Sequence, residues 1–178
     1  MILGKETNEL AKGEYNKGLF EAGVSYLKDD YEILTTDIEK GYDVKEEIKK
    51  FKQADVIIFQ YPVYWFMMPS SLKKFLDDVY QVHEFFGFGD HGYGTGGLMK
   101  GKKFMLSTTW NAPLEAFSAK SSFFGELSAT DVLLPMIKAN TFCGFEELPH
   151  FSCHNVIHKP DFAKDEARFL DHLKTVFT

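Results

Sequence analysis

The sequence is poor in cysteine, in long apolar runs and in positive charge. Two cysteines, Cys143 and Cys153, among 178 residues are too few for a disulfide scaffold, and a reduced cytoplasm is the simplest compartment for such a chain. No apolar run approaches the roughly 20 residues of a membrane span, and the first residues have no signal-peptide core. A formal net charge of −6 argues against a nucleic-acid surface, which needs a basic face. We therefore expect a cytoplasmic protein with neither a membrane span nor a nucleic-acid partner.

Aromatic residues, by contrast, are plentiful. They make up 16% of the chain and include 18 phenylalanines, which favours a flat ligand or an apolar interface. A hydrophobic share of 44% over this length predicts a single domain, residues 1–178, with a sizeable core.

Strand patterns and helix patterns alternate along the chain. Continuous apolar runs predict buried strands at residues 55–60 and 102–110, and residues 31–37 form a further strand pattern. Apolar residues at helical spacing predict helices around residues 15–27, 44–51, 70–79 and 160–177, the third of them capped by Ser70 or Ser71. This alternation predicts an α/β fold, with one sheet and helices on both faces.

Two apolar segments follow predicted strands, where loops are normally polar. They are YPVYWFMMP, residues 61–69, and TTWNAP, residues 108–113. In sheets of this kind ligands bind outside the carboxyl ends of the strands, so we expect the two loops to form a flat, apolar slot there. A plug in the core or a dimer patch without a cofactor is the alternative interpretation.

Three longer stretches, residues 42–80, 93–117 and 134–149, resemble the NAD(P)H:quinone reductases of the modulator-of-drug-activity-B type, which are flavodoxin-like proteins. The resemblance implies a flavodoxin-like open parallel sheet of strand order 2-1-3-4-5 and a bound FAD. It further implies NAD(P)H as co-substrate, a quinone or similar acceptor, and a homodimer whose active sites lie at the subunit interface.

The resemblance also implies which residues contact the flavin ring. They are Val63, Tyr64, Trp65, Phe66, Tyr93, Thr109, Trp110, Asn111 and Ala112. Aromatic side chains match an isoalloxazine ring by stacking, and the backbone of the second loop, with the Asn111 amide, would serve its polar edge. Residues 123–127 lie where related mammalian reductases keep a catalytic histidine, but they contain none, so no catalytic residue is assigned.

The start of the chain departs from the family pattern. Only three residues precede the Gly4 turn, so we expect a shortened first strand. A truncated gene, a misplaced start, a fold that tolerates a stub and a relative losing its cofactor are the four explanations. Leu10-Ala11 replaces the usual His-Ser pair, which removes two phosphate donors. The phosphate ligands that remain are the helix-start N–H groups with Gly13, Asn16, Lys17 and Lys12.

The sequence thus favours an FAD-dependent NAD(P)H:quinone oxidoreductase that passes a hydride from a nicotinamide to the flavin and then to a quinone. A flavin-free dimerising or regulatory relative, with the aromatic loops as its interface, is the alternative, and an FMN-binding electron carrier is the third interpretation.

The histidines and cysteine of residues 150–158 lack the distant ligand pair of a zinc site, so we expect no metal and interpret them as solvent-facing residues around a strand end. The glycine-rich residues 83–97 predict a lid, a substrate loop or a flexible surface segment without regular structure.

Overall fold

Short strands and longer helices alternate along the chain in the computed structural model, which describes residues 1–9, 11–88 and 92–177. The elements are β1 (Ile2–Leu3), α1 (Glu14–Leu27), β2 (Thr36–Asp37), α2 (Val44–Gln53), β3 (Val56–Pro62), α3 (Ser70–Val79), β4 (Lys103–Thr109), α4 (Ala129–Val132), α5 (Leu134–Phe142), β5 (Glu146–Glu147), β6 (Phe151–Cys153) and α6 (Phe162–Phe177). Within those ranges every helix is too short or too polar to traverse a lipid bilayer. Leu10 of the Leu10-Ala11 pair and residues 89–91 of the glycine-rich segment lie outside the described residues.

The sheet is parallel, and its strand order is β2-β1-β3-β4-β5, with β6 also paired to β4. This confirms the flavodoxin-like order 2-1-3-4-5. The longest pairing joins β3 to β4 in register from Val56 and Lys103 to Pro62 and Thr109. Alternate residues of these strands face opposite sides of the sheet, so α2, α3 and α5 pack on one face and α1 and α6 on the other.

The first strand is short, as expected, and is nevertheless paired on both sides. Ile2 pairs with Thr36 and Phe59, and the Gly4 N–H continues the ladder by donating to the Gln60 carbonyl over 2.9 Å. Ile2 and Leu3 are both buried. Two residues are sufficient for the central strand because each side chain is enclosed by a helix layer and each flank has a hydrogen-bonded neighbour.

Two local predictions were wrong. The strand predicted over residues 31–37 is confined to Thr36–Asp37, because among the described residues β2 pairs only with the short β1. Neither Ser70 nor Ser71 caps α3, because both already lie inside the helix and Pro69 is the N-cap. The Glu6 carboxylate satisfies this helix start instead, by accepting from the Ser71 N–H at 2.7 Å and the Ser70 hydroxyl at 2.8 Å.

The described part of the glycine-rich segment forms no helix and no extended strand, as predicted, but it is held in place at several points. Phe86 makes isolated bridges to Val82 and Gly97. Gly97 in turn lies against the backbone of Gly144, where a Cβ atom added to Gly97 would come within 2.4 Å of the Gly144 nitrogen. Whether the segment is a lid or a substrate loop stays a prediction.

Candidate functional site

The two aromatic loops leave the sheet side by side. Pro62 and Thr109, the last residues of β3 and β4, are register partners, and the Val63 N–H extends the pairing by donating to the Thr109 carbonyl over 2.9 Å. Residues 63–66 and 110–112 therefore begin as neighbours at the carboxyl edge of the sheet, where the sequence analysis placed the slot.

The first loop makes a tight turn in an unusual conformation. Tyr64 and Met67 exchange two backbone hydrogen bonds, of 2.8 and 3.0 Å, across the turn. Trp65 and Phe66 between them have φ angles of 49° and 65°, in the left-handed region. Hairpin turns of this kind normally use Asn-Gly, and a left-handed residue other than glycine costs roughly 1–2 kcal/mol. Trp65 is also 87% exposed, so packing of its own ring does not explain its left-handed conformation, and strain of this kind is typical of functional sites.

The second loop turns its tryptophan inward. Trp110 is only 2% exposed, its ring packs edge-on against Phe117 at 5.3 Å, and its Nε1 donates to the Thr108 hydroxyl over 2.9 Å. Thr109 is likewise buried, with its hydroxyl and its carbonyl both accepting hydrogen bonds from the protein. Contacts of these two residues with a flavin stay a prediction, but neither side chain is exposed to make them.

Asn111 and Ala112 complete this loop, and β6 and the residues after it hold it in place. The Trp110 N–H donates to the Cys153 carbonyl over 2.9 Å, and His154 Nδ1 lies 3.2 Å from the Ala112 carbonyl. Burial lowers the pKa of His154, which favours a neutral imidazole that donates from Nδ1. Asn111 is exposed and makes no hydrogen bond within the described ranges, so its amide is open to a ligand.

A chain of aromatic rings connects the two loops. The Phe66 ring contacts Phe124 at 5.2 Å, Phe124 stacks on Phe117 at 4.4 Å, and Phe117 contacts Trp110. Phe123 also contacts Phe66, at 5.8 Å. These ring contacts were not predicted from the sequence, in which residues 123–127 were assessed only for a histidine. The sequence signal that could have indicated them is the adjacent pair Phe123-Phe124.

Tyr93 lies in a neighbouring groove. It is 97% exposed, and its ring lies 5.5 Å from that of Phe142 at the end of α5. This groove and the one beside Trp65 each have a volume of about 750 Å³, and they share Tyr80, Pro135 and Ala139. The exposed aromatic residues of both segments therefore flank one continuous, largely apolar surface along α5.

The start of α1 presents open backbone donors. Gly13 is its N-cap, with a φ angle of 73°, and no side chain of the described residues provides a capping hydrogen bond there. Lys12 and Lys17 beside it are exposed. The Asn16 side chain, by contrast, is buried, donating to the Thr109 hydroxyl and accepting from the Gln60 amide at 2.8 Å each. Only the backbone of Asn16 is thus left for a phosphate, and that contact stays a prediction.

An ion pair between the buried Lys5 and the exposed Glu39 lies next to Gly13. The Lys5 ammonium contacts the Glu39 carboxylate and the Thr7 hydroxyl, and the Thr7 N–H donates to Glu39 Oε1 over 2.7 Å. Hydrogen bonds from Lys5 and Thr7 hold the pKa of the Glu39 carboxyl below its usual range. The sequence alone does not reveal this pair, because 34 positions separate its members.

The histidine-rich segment is partly buried, contrary to the prediction that its residues face solvent. His150 fills the gap between β5 and β6, where its Nδ1 accepts from the Leu106 N–H at 3.2 Å. Burial, with a smaller electrostatic effect of the neighbouring His172, lowers the pKa of His150 to about 4. Cys153 is directed into the core, and the described residues contain no group of three metal-ligating side chains.

The sheet order and the paired loops define a flavodoxin-like protein, and residues 7–175 match the family model described as the flavodoxin-like fold. Within that class, the chain belongs to the NAD(P)H:quinone oxidoreductase family of the modulator-of-drug-activity-B type. It is 39% identical over 176 residues to the NADPH:quinone oxidoreductase MdaB of Haemophilus influenzae, an alignment that covers 93% of this chain and 91% of that relative. The resemblance stated from the sequence is thus confirmed.

Two solved structures show the same fold. A putative quinone reductase from Klebsiella pneumoniae superimposes with a TM-score of 0.81 at 23% identity, covering 99% of this chain and 84% of that one. General stress protein 14 of Treponema denticola, solved in complex with FMN, gives a TM-score of 0.77 at 22% identity, with coverages of 99% and 96%.

Proposed function

We propose that this chain is an FAD-dependent NAD(P)H:quinone oxidoreductase. The observation that carries the proposal is the exposed, left-handed turn of Trp65 and Phe66 beside the second loop at the carboxyl edge of the sheet. An isoalloxazine ring fits these residues, because the aromatic faces match its apolar plate and the Asn111 amide suits its polar edge. The identity with the Haemophilus influenzae enzyme supports the same activity.

Each part of the chain has a separate task in this proposal. When bound, the flavin supplies the hydride chemistry between a nicotinamide and a quinone. Trp65 and Phe66 exclude water from one side of the slot, and Asn111 and the backbone of Ala112 offer hydrogen bonds. Thr109, anchored by Asn16 and Val63, fixes the position of the second loop. The N–H groups of the first turn of α1, with Lys12 and Lys17, would hold the diphosphate.

FMN is the alternative to FAD as the bound flavin, because the structure of the Treponema denticola neighbour was solved in complex with FMN. Purified protein should show the flavin absorbance bands, roughly 350–500 nm. Acid denaturation should then release FAD in a one-to-one ratio to the chain, whereas release of FMN would change the cofactor and leave the reaction class intact. Colourless protein that takes up neither flavin on reconstitution would contradict the proposal.

A homodimer is part of the same proposal. Trp65, Met67 and Tyr93 are all more than half exposed and line the continuous groove along α5. Exposed apolar surface of this extent marks an interaction site, and a second copy of the chain would cover it. Light scattering of the purified protein measures the state directly. We also propose a cytoplasmic location, which the two unpaired, buried cysteines support.

One observation favours the flavin-free interface protein instead. The Trp110 ring is packed against Phe117 in the core and does not face the slot. The Trp65→Ala variant discriminates between the two functions. Loss of bound flavin with the dimer intact supports the enzyme, and loss of the dimer alone supports the interface protein.

A further inference from the structure

Lys5 lies beside the point where the strand order reverses, between β1 and β3, and Glu39 lies on the other side of β1. The sheet has β1 between β2 and β3, and Lys5 follows β1 after the single residue Gly4. Glu39 belongs to the short 3-10 helix that follows β2. Ligands of doubly wound sheets bind outside the carboxyl ends of the strands at this reversal. Lys5 therefore borders the region where this architecture binds its ligand, and Glu39 contacts Lys5 from the neighbouring loop after β2.

Three donors from the loop after β1 converge on the Glu39 carboxylate. The Lys5 ammonium and the Thr7 hydroxyl, the latter at 3.1 Å, donate to Oε2, and the Thr7 N–H donates to Oε1. An ammonium, a hydroxyl and a backbone N–H suit a phosphate oxygen as well as they suit a carboxylate. The Lys5 side chain is 8% exposed and that of Glu39 is 36% exposed. An anion from solvent thus reaches these donors by replacing Glu39.

The donors are adjacent to the open start of α1. The stem of Lys5 lies across Gly13, since a Cβ atom on Gly13 would come within 2.5 Å of Lys5 Cδ. Gly13 is the helix N-cap and has no side-chain acceptor of its own. Burying an unpaired ammonium is costly, so the Glu39 carboxylate stabilises Lys5 when no other anion is there.

We propose that Glu39 is the internal occupant of a phosphate subsite formed by Lys5 and Thr7, and that the phosphate group of a bound nucleotide displaces it. The identification of that nucleotide with a flavin rests on the proposed function, whereas the subsite itself does not. Each binding event breaks the contacts of Glu39 with Lys5 and Thr7, so Glu39 sets how tightly a phosphate is held. Removing its charge while keeping its shape, as in Glu39→Gln, therefore strengthens phosphate binding.

Inorganic phosphate tests the subsite without any flavin. We expect Glu39→Gln to have a lower Tm than the unmodified protein in chloride, because Lys5 loses its charged partner, and to gain Tm in phosphate at matched ionic strength. The unmodified protein and Glu46→Gln, which alters the exposed pair of Glu46 with Lys49, should gain much less. Adding Lys5→Met to Glu39→Gln should abolish the gain. An equal response of all variants to phosphate would overturn the proposal.

Matched ligands with and without phosphate then identify the source of the anion. Glu39→Gln should bind FMN and FAD about tenfold more tightly than the unmodified protein, an ordinary coupling for two groups that compete for one site. Its affinity for riboflavin, which has no phosphate, should be unchanged. If Glu39→Gln binds only AMP more tightly, and not adenosine or the flavins, the subsite is supported and is assigned to an adenine nucleotide. If flavins bind but neither they nor AMP bind more tightly to Glu39→Gln, the subsite is overturned. If no flavin binds while Glu39→Gln still gains Tm in inorganic phosphate, only the proposed function is overturned.

Discussion

The side-chain amide of Asn16 donates a hydrogen bond of 2.8 Å to the hydroxyl of Thr109, across 93 positions of sequence. Asn16 lies in the first turn of α1, and Thr109 is the last residue of β4. The same amide accepts from Gln60 of β3, also at 2.8 Å. One buried side chain thus fixes the proposed phosphate end of the site relative to both strands that carry the aromatic loops.

Replacing Asn16 should destabilise the protein. In Asn16→Ala the Gln60 amide and the Thr109 hydroxyl both lose a buried partner, which should lower the free energy of unfolding by roughly 2–3 kcal/mol. Urea denaturation measures the change. Glu21→Gln, at an exposed position of the same helix, should change it by less than about 0.5 kcal/mol. Equal stabilities of the two variants would show that the network contributes little.

The structure predicts a loss of stability in acid that depends on His150. Its pKa is about 4 in the fold and 6.5 in the free side chain, so the unfolded chain binds the extra proton first as the pH falls. The stabilisation is complete above about pH 6.5 and is lost progressively down to about pH 4, by roughly 3 kcal/mol in all. Glu147 Oε1, 3.1 Å from Nε2 of His150, is part-exposed to solvent and does not reverse the direction.

The variant His150→Asn provides the measurement, because an asparagine Oδ1 replaces the acceptor Nδ1 and does not titrate. The slope of unfolding free energy against pH between 4 and 6.5 should become shallower. Some slope should persist, because the pKa of His154 is also lowered. An unaltered slope in His150→Asn would contradict this role.

Replacing Trp65 in the strained turn should raise the free energy of unfolding and remove ligand binding. Asparagine tolerates the left-handed region that Trp65 adopts, so Trp65→Asn should raise the free energy of unfolding by about 1 kcal/mol and abolish flavin binding. Trp65→Ala removes the same ring but relieves less of the backbone strain, because alanine tolerates the left-handed region less well than asparagine. It should lose the flavin and gain less stability. If Trp65→Asn is destabilised, the turn is held by contacts and not by its function.

The contact between Gly97 and Gly144 should tolerate no side chain. A Cβ atom on Gly97 meets backbone atoms of Cys143 and Gly144 at 2.4–2.6 Å, and backbone moves less readily than side chains. We expect Gly97→Ala to lower the free energy of unfolding by roughly 1–3 kcal/mol. Gly87→Ala in the same segment, where a Cβ meets no atom of the described residues within 4 Å, should be close to neutral. Chemical denaturation of Gly97→Ala and Gly87→Ala measures the difference between their free energies of unfolding.

Periodicity predicted most of the helices and the position of both loops, because these follow from local patterns of apolar residues, and the family resemblance implied the sheet order. They did not predict contacts made across the chain. The cap of α3 comes from Glu6, 65 positions from Ser71, and no motif near Ser70 signals it. The orientation of Trp110 was equally out of reach, because it depends on where Phe117 and Phe124 fold back. Trp65 and Trp110 are both aromatic residues in loops, yet only packing makes one exposed and the other buried.

The most direct measurement is a titration of flavin-free protein with FAD, followed by the quenching of its tryptophan fluorescence in the unmodified chain and in Trp65→Ala. Saturable, one-to-one binding that the unmodified protein shows and the variant loses is the result expected when a flavin ring lies against the 63–66 turn. Equal binding by both proteins, or binding by neither, would contradict the assignment of the two loops as a flavin site.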